Sequence, residues 1–366
     1  MFKKILWSLI IIIVVIVLYL VAWPVPIDPV AWEAPPNPGY TGAFAVNERL
    51  KGVETLPIAD NHGPEDIAVD SQGRIYAATH EGRIVRLNSD GSNPENWVDT
   101  KGRPLGIDFD SKDNLIVADA FRGLLSIAPD GTITELATTA DGVPIRFADD
   151  VDVAADGKIY FSDASTKFGA KESGGAYEAS LLDINEHGGH GRLLVYDPAT
   201  GVAKTLLDGL NFANGVAVSH DQNYVLVNET GSYRIIRLWI AGPKKGTSET
   251  LIGSLPSFPD NISTGDNGRY WVAFVSPRNP LIDKLAGKPF MRKVIQRMPA
   301  FMRPKAVSYG HIIAIDGEGK VLANLQDPDG SYPINTSVTE TKDYLYIGSL
   351  VAPVLARVKK ENIGLR

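Results

Sequence analysis

Two patterns of apolar and polar positions divide the chain. From Ile5 to Val21 apolar residues run almost unbroken, near the shortest length that crosses a bilayer as a helix. From Gly42 onward the apolar runs are short and are broken by Asp-Gly, Asn-Gly and Gly-Lys turns, with little helical period before about residue 280. The first pattern predicts one transmembrane helix; the second predicts an all-β body.

That body repeats itself. One frame recurs, beginning Pro64-Glu65-Asp66, Pro104-Leu105-Gly106, Ala148-Asp149-Asp150, Ala213-Asn214-Gly215, Pro259-Asp260-Asn261 and Asn335-Thr336-Ser337, and each copy runs into an apolar strand. A polar turn and a second strand follow each time, as in Lys158-Ile159-Tyr160-Phe161-Ser162, and most copies add a third. The copies start about 40 to 75 residues apart, which suits four-stranded blades with insertions. The pattern predicts a six-bladed β-propeller over residues 43–366, with a strand near Gly52 to Leu56 closing the ring by joining the last blade.

Two insertions interrupt the frame. Thr166 to Gly191, rich in Gly, Ser and Glu, is expected as a long loop above the third blade. Pro280 to Pro304 interleaves apolar residues with Lys284, Lys288, Arg292, Lys293 and Arg297. A short basic amphipathic helical segment is expected there, suited to cover a site, to touch an anionic membrane surface, or to pack its apolar face on the propeller.

Residues 1–22 form the predicted anchor. Lys3 and Lys4 hold its N-terminal end in the cytoplasm, and no small-x-small cleavage site follows the apolar run. The propeller is therefore expected outside the cytoplasmic membrane on a single pass, periplasmic in a bacterial host. Residues 23–42 are proline-rich and are expected as a stiff extended linker with no core of their own.

Composition narrows the chemistry. The chain has 366 residues, a net charge of -7 and 44% hydrophobic residues, so it has the make-up of a folded globular protein and no basic field for nucleic acid. It has no cysteine, which removes disulfides, thiolate metal sites and a cysteine nucleophile. The six histidines show no HxH or HExxH spacing, and no serine lies in a GxSxG setting.

What remains is oxygen chemistry. The innermost strands of a propeller line its central channel, so equivalent frame positions form a ring around the axis. The first position reads Glu65, Leu105, Asp149, Asn214, Asp260 and Thr336, and the second adds Asp66, Asp150, Asn261 and Ser337. Carboxylate and amide oxygens together are the ligand set of a hard cation, Ca²⁺ above all, and carboxylates crowded on one axis repel without one. Taken singly, each of these residues is equally a turn former at a strand end. The second strands end in Asp119, Asp163 and Glu229, acids expected to face the same mouth and to serve there in proton transfer or to tie down their own turns.

Gly63 to Ile67, Leu115 to Leu125, Asn211 to Val218, Phe258 to Ser263, Val275 to Asn279 and Leu345 to Leu350 together resemble the strictosidine synthase-like branch of the six-bladed calcium propellers. Within it they look most like the membrane-anchored adipocyte plasma membrane-associated protein type, with gluconolactonase and paraoxonase as more distant relatives. The resemblance implies a catalytic calcium held by Glu65, Asp149, Asn214 and Asp260, with Asn261 beside them, and makes Asp66 and Asp150 candidates for a second, structural ion. Relatives usually carry asparagine where this chain has Asp149, so the ring here is more acidic. Thr336 stands where strictosidine synthase places its catalytic glutamate, and Asp119 and Ala120 stand where paraoxonase has a histidine dyad. Amine–aldehyde condensation is therefore not expected. The resemblance implies a calcium-dependent hydrolase of lactones or activated aryl esters, in which Asp260 positions or deprotonates water or attacks directly, with Asp119 or Glu229 as alternative bases. The alternative is a non-catalytic, membrane-tethered propeller that binds a ligand or partner and uses calcium only to hold its ring.

Overall fold

The computed structural model describes residues 2–365. Its body is built from six four-stranded antiparallel sheets arranged as the blades of a propeller. In five blades the four strands follow one another in sequence, as in the second, Pro104–Phe109, Leu115–Asp119, Gly123–Ile127 and Ile133–Ala137. The sixth takes its outermost strand from the start of the body: Glu54–Pro57 pairs with Val354–Arg357, so the two ends of the propeller clasp in one sheet. Apolar faces of neighbouring blades pack against each other, for example Ile67, Ala77 and Val85 of the first blade with Tyr346 and Leu355 of the sixth. Each interface removes apolar surface from water, the main stabilising term for a ring with no single centre.

The inner strands share an irregularity that governs the channel. In five blades the register slips within the frame, between Ala148 and Val151 in the third and between Ala213 and Val216 in the fourth, with three steps on the inner strand facing two on its neighbour. Such a bulge breaks the strict alternation of side chains. Two successive frame residues thus leave the ladder toward the axis, the first lining a cavity at one end of the channel and the second a cavity at the other. Glycine at the second position of the fourth blade is a packing requirement, since a Cβ on Gly215 would stand 2.3 Å from the Ile262 nitrogen.

Among the described residues four α-helices accompany the blades: α1 (Phe2–Ala22), α2 (Ala176–Glu186), α3 (Pro280–Leu285) and α4 (Pro289–Arg297). α1 has the length and composition of a membrane span and is exposed along its length. α3 begins where expected for its chemistry: Asn279 accepts the Leu281 N–H and Pro280 occupies the first turn. The stretch expected as a loop above the third blade holds α2, whose buried Asp183 accepts from the Ser165 hydroxyl at 2.6 Å. Burying that carboxyl lifts its pKa to about 7, against the hydrogen bond from Ser165.

The proline-rich linker differs most from expectation. It lies across the mouth end of the propeller and joins the core there: Ile27 is fully buried in a cluster with Leu105, Phe147, Ala179 and Phe212. The Val30 N–H donates to the Glu186 carbonyl, the Trp32 N–H to that of Ala286, and Trp32 stacks on His187 with ring centres 3.9 Å apart. Arg278 donates to the carbonyls of Pro35 and Pro36. Prolines keep the segment extended and leave its carbonyls free to accept, so an extended strap is stabilised by partners far away in sequence rather than by a core of its own.

Candidate functional site

At the mouth, where the inner strands begin, a cavity with about 860 Å³ of empty space, part of it open to solvent, reaches down to the channel axis. Its floor includes Glu65, Asp149, Asn214 and Asp260, one each from the first, third, fourth and fifth blades. All four are nearly inaccessible to water. Leu105 supplies the second blade's share of the floor as an apolar side chain. Thr336 turns aside, giving its hydroxyl proton to the Glu65 carbonyl. The walls are apolar, with Phe147 and Phe212 from the residues just before their inner strands, Phe258 from the start of the fifth blade's inner strand, Ile184 from α2 and Ile282 from α3. Of the other phenylalanines on these blades, Phe168 and Phe274 are core residues outside the cavity lining.

The floor is linked by amides. Asn214 Nδ2 donates to Asp260 Oδ1, and Asn261 Nδ2 donates to Glu65 Oε1 at 3.4 Å. Asn228, from the second strand of the fourth blade, donates to the Asp260 carbonyl. Three oxygens of the ring, Glu65 Oε2, Asn214 Oδ1 and Asn261 Oδ1, are buried without a hydrogen-bond partner. A buried acceptor left unpaired costs about 1–3 kcal/mol, and three gathered on one axis call for a partner that the ring itself does not supply. Carboxylate and amide oxygens from four blades are the chemistry that suits a hard cation. Among the described residues no three acidic or imidazole groups already stand together as a formed cluster. The fit rests on the mixed set, because amide oxygens contribute as much as carboxylates and two of the carboxylates are drawn onto amide protons instead.

Electrostatics point the same way. Burial pushes the Glu65 carboxyl well above its ordinary value, and the charges of Asp260, Asp149 and Asp66 add to it, eased by Arg103. Burial raises Asp149 in the same manner, with Asp260 adding and Arg103 opposing. Asp260 is pushed up to about 8 by burial, against the stabilising hydrogen bond from Asn214. Arg103, itself buried with one guanidinium nitrogen unpartnered, is the cation nearest this cluster that pattern reading did not identify. Its position just before an inner strand carries no signal in sequence, since an arginine there is ordinarily a surface residue.

The second-position acids belong to the far end of the channel. Asp66, Asp150 and Asn261 line a cavity of about 750 Å³ there, with Asp108 and Asp152. These carboxylates staple neighbouring blades. Asp66 Oδ2 accepts the Ile107 N–H at 2.9 Å, Asp108 Oδ2 that of Val153 at 2.9 Å, Asp150 Oδ2 that of Val216 at 2.7 Å and Asp152 Oδ2 that of Val218 at 2.7 Å. Around the rest of the ring hydroxyls take over, with Ser337 and Thr339 of the sixth blade donating to the carbonyls of Glu65 and Ile67. Burial lifts Asp66 to about 7, eased by the N–H of Ile107.

The acids at the ends of the second strands stand elsewhere than expected. Asp119 is fully buried outside the cavity lining, and its carboxylate accepts from the Thr100 hydroxyl and from the N–H groups of Arg103, Phe121 and Arg122. Glu229 accepts from Asn211, Ser232 and Arg234 in the same way. Asp163 accepts from Phe147 and Arg192. Each pins the loop that leads into its own inner strand, so these acids hold the walls and floor in place and have no oxygen presented to the cavity.

Comparison with known proteins supplies a framework. The family model described as strictosidine synthase matches residues 149–243, and that described as strictosidine synthase-like, N-terminal, matches residues 42–87. The chain is 33% identical over 363 residues to the adipocyte plasma membrane-associated protein of Rattus norvegicus, covering 92% of this chain and 94% of the relative. It is 34% identical over 339 residues to strictosidine synthase-like protein 13 of Arabidopsis thaliana, covering 82% of each. Among solved structures it superposes on a gluconolactonase from Xanthomonas campestris with a TM-score of 0.61 at 18% identity, covering 92% of this chain and 96% of that one. It also superposes on regucalcin, a calcium-binding protein from Agrobacterium tumefaciens, with a TM-score of 0.56 at 14% identity, covering 81% and 85%. At these identities the structural likenesses speak for the propeller fold.

Proposed function

The chain belongs to the strictosidine synthase-like family that includes the adipocyte plasma membrane-associated proteins, and from that premise we propose that it is a membrane-anchored, calcium-dependent hydrolase of lactones or activated aryl esters bearing apolar groups. The observation that carries the reading is the meeting of two surfaces: an oxygen ring with unpartnered buried acceptors forms the floor of a cavity whose walls are aromatic and aliphatic. A purely structural ring would have no need of an apolar pocket above it.

Glu65, Asp149, Asn214 and Asp260 would hold the cation, with the Asn261 oxygen beneath them. The chemistry such an ion supplies is Lewis-acid polarisation of the acyl carbonyl. Phe147, Phe212 and Phe258 would hold the apolar part of the substrate and exclude water from its far side. With the cation in place of the Asn214 amide proton, one oxygen of Asp260 would hold the cation and the other would take a proton from the attacking water. The water oxygen bonds to the acyl carbon, the acyl C–O bond breaks, and the proton passes to the departing oxygen. A lactone yields a hydroxy acid, and an aryl ester yields an acid and a phenol. Asp119 and Glu229, held by their own loops, are left out of this scheme.

The test is a panel of lactones and aryl esters assayed with calcium and with chelator, on the parent protein and on Asp260→Ala. Turnover that needs calcium and vanishes in the variant is the expected result. Loss of thermal stability on chelation without turnover of any compound would instead mark a non-catalytic binding propeller.

A further inference from the structure

The end of the anchor helix is fixed to the rim of the cavity. Arg297 at the end of α4 is buried, and donates from Nη1 to the Leu20 carbonyl at 3.0 Å and from Nε to the Trp23 carbonyl. These are the carbonyls that a helix leaves unpaired at its C-terminus, where the macrodipole also favours a cation. Arg292, five residues earlier on α4, donates to the carbonyls of Asn185 on α2 at 3.0 Å, Ala286 after α3 at 3.1 Å and Val30 of the strap. Two buried guanidinium groups thus join α1, the strap, α2 and α3 around α4.

Geometry then limits where that rim can lie. α1 has 21 residues, about 30 Å at about 1.5 Å per residue, which matches the hydrocarbon thickness of a bilayer. If it spans, its last turn is at the water boundary, and whatever is bonded to Leu20 and Trp23 is held in the headgroup layer. The rim is dressed for that layer. Phe290 and Met291 on α4 are exposed, as are Met302 and Phe301 in the turn that follows, the last at 82%, and Leu281 of α3. Lys284, Lys288 and Lys305 are exposed among them. Large apolar side chains exposed on one short segment and interspersed with lysines are a liability in water and have the composition of an interfacial membrane contact. That segment runs directly into the cavity, because Pro304, Lys305 and Ala306 are lining residues.

We infer that the mouth of the propeller rests in the headgroup layer of the membrane that α1 enters, with Phe290, Met291, Phe301 and Met302 at the acyl boundary, so that the cavity takes amphipathic lactones or esters dissolved in the bilayer. The substrate half of this inference rests on the hydrolase reading above; the membrane contact does not. The segment after α3 is then both wall and foot: it closes the cavity on one side and touches lipid on the other.

The absence of cysteine makes a direct test available. Phe301→Cys and Met302→Cys, each in the full chain, would carry a polarity-sensitive fluorophore after reconstitution into vesicles of phosphatidylcholine and phosphatidylglycerol. Lys342→Cys on the opposite rim serves as the water-exposed reference. The inference expects blue-shifted emission and protection from aqueous iodide at 301 and 302 but not at 342. Equal quenching at all three positions would overturn it. A second arm compares a long-chain aryl ester carried in the vesicles with a short-chain, water-soluble one. The double variant Phe290→Ser/Phe301→Ser is expected to lose roughly tenfold or more of its rate on the vesicle-borne ester, through lost apolar anchorage, and none on the soluble ester. Equal rates on the vesicle-borne ester would overturn the substrate route. If the parent turns over neither ester, the hydrolase reading and the substrate half both fail, while the quenching result still decides the membrane contact.

Discussion

Asn214 of the fourth blade donates its side-chain amide to Oδ1 of Asp260 of the fifth, so two groups of the cavity floor are bonded to each other across a blade junction. A carboxylate held by an amide proton in a buried ring is in the arrangement that a cation would displace, since the amide can turn its oxygen inward instead. At pH 9, above the value to which burial raises Asp260, Asp260→Asn removes one buried charge while keeping the shape. It should raise the unfolding temperature of the chelated protein and lower that of the calcium-loaded protein, with calcium affinity reduced about tenfold or more. Thermal melts with and without chelator and a calcium titration check this. A change of the same sign in both melts would count against a cation on the floor.

The raised carboxyls also set a pH dependence. Asp260, pushed up to about 8, keeps its proton in the folded chain at pH values where an unfolded chain, with aspartate near 4, has released it. The folded state therefore binds more protons than the unfolded state across that window. The chelated protein should lose stability as pH rises from about 4 to about 8, and Glu65 and Asp149, shifted in the same direction, should steepen the fall. Saturating calcium should flatten the profile because the cation takes the place of the protons. Urea midpoints measured across this range in both conditions provide the check.

Asp119 separates a structural from a catalytic acid. Its carboxylate accepts from three backbone N–H groups and the Thr100 hydroxyl, so Asp119→Ala should destabilise the protein by about 3 kcal/mol or more through buried donors left unpaired. The molecules that remain folded should retain kcat and an unchanged pH profile on whichever ester the parent hydrolyses. A shifted pH profile at full folding would return Asp119 to the list of bases.

The strap is open to the same kind of measurement. Ile27 is fully buried against Leu105, Phe147 and Phe212, which border the cavity, so Ile27→Ala should cost about 2–4 kcal/mol of stability by leaving a hole in that cluster. A freely extended stalk would make the substitution silent in denaturant unfolding. Because the neighbours are also wall residues, KM for an apolar ester is expected to rise more than kcat falls.

Much of this protein is written locally. The frame that begins at Pro64 and returns at Asn335 specifies strand, turn and strand within a few residues, and six copies specify the number of blades and the ring on their axis. Even the early strand that completes the last blade is legible, because the sixth copy lacks a fourth strand of its own. The side chains of Glu65, Asp149, Asn214 and Asp260 meet on the mouth cavity because equivalent positions in a closed ring must meet. Periodicity and symmetry carry that information without any knowledge of distant contacts.

What the tertiary structure alone decided lies between residues far apart in the chain. Whether Asp119 and Glu229 face the mouth or pin a loop depends on a bulge and on neighbouring N–H groups, to which side-chain alternation is blind. Asp66 and Asp150 look like further ligands in the sequence, and only the packing of adjacent blades turns them into staples. The strap and the anchor show it most clearly. The Asp28 N–H meets the Glu186 carboxylate across 158 positions, and Arg297 meets the Leu20 carbonyl across 277. A proline-rich run and a basic amphipathic segment are each ambiguous alone, because their own residues bury too little to specify a conformation. The conformation is set where they meet, by buried guanidinium groups that find unpaired carbonyls and by one isoleucine that finds a core.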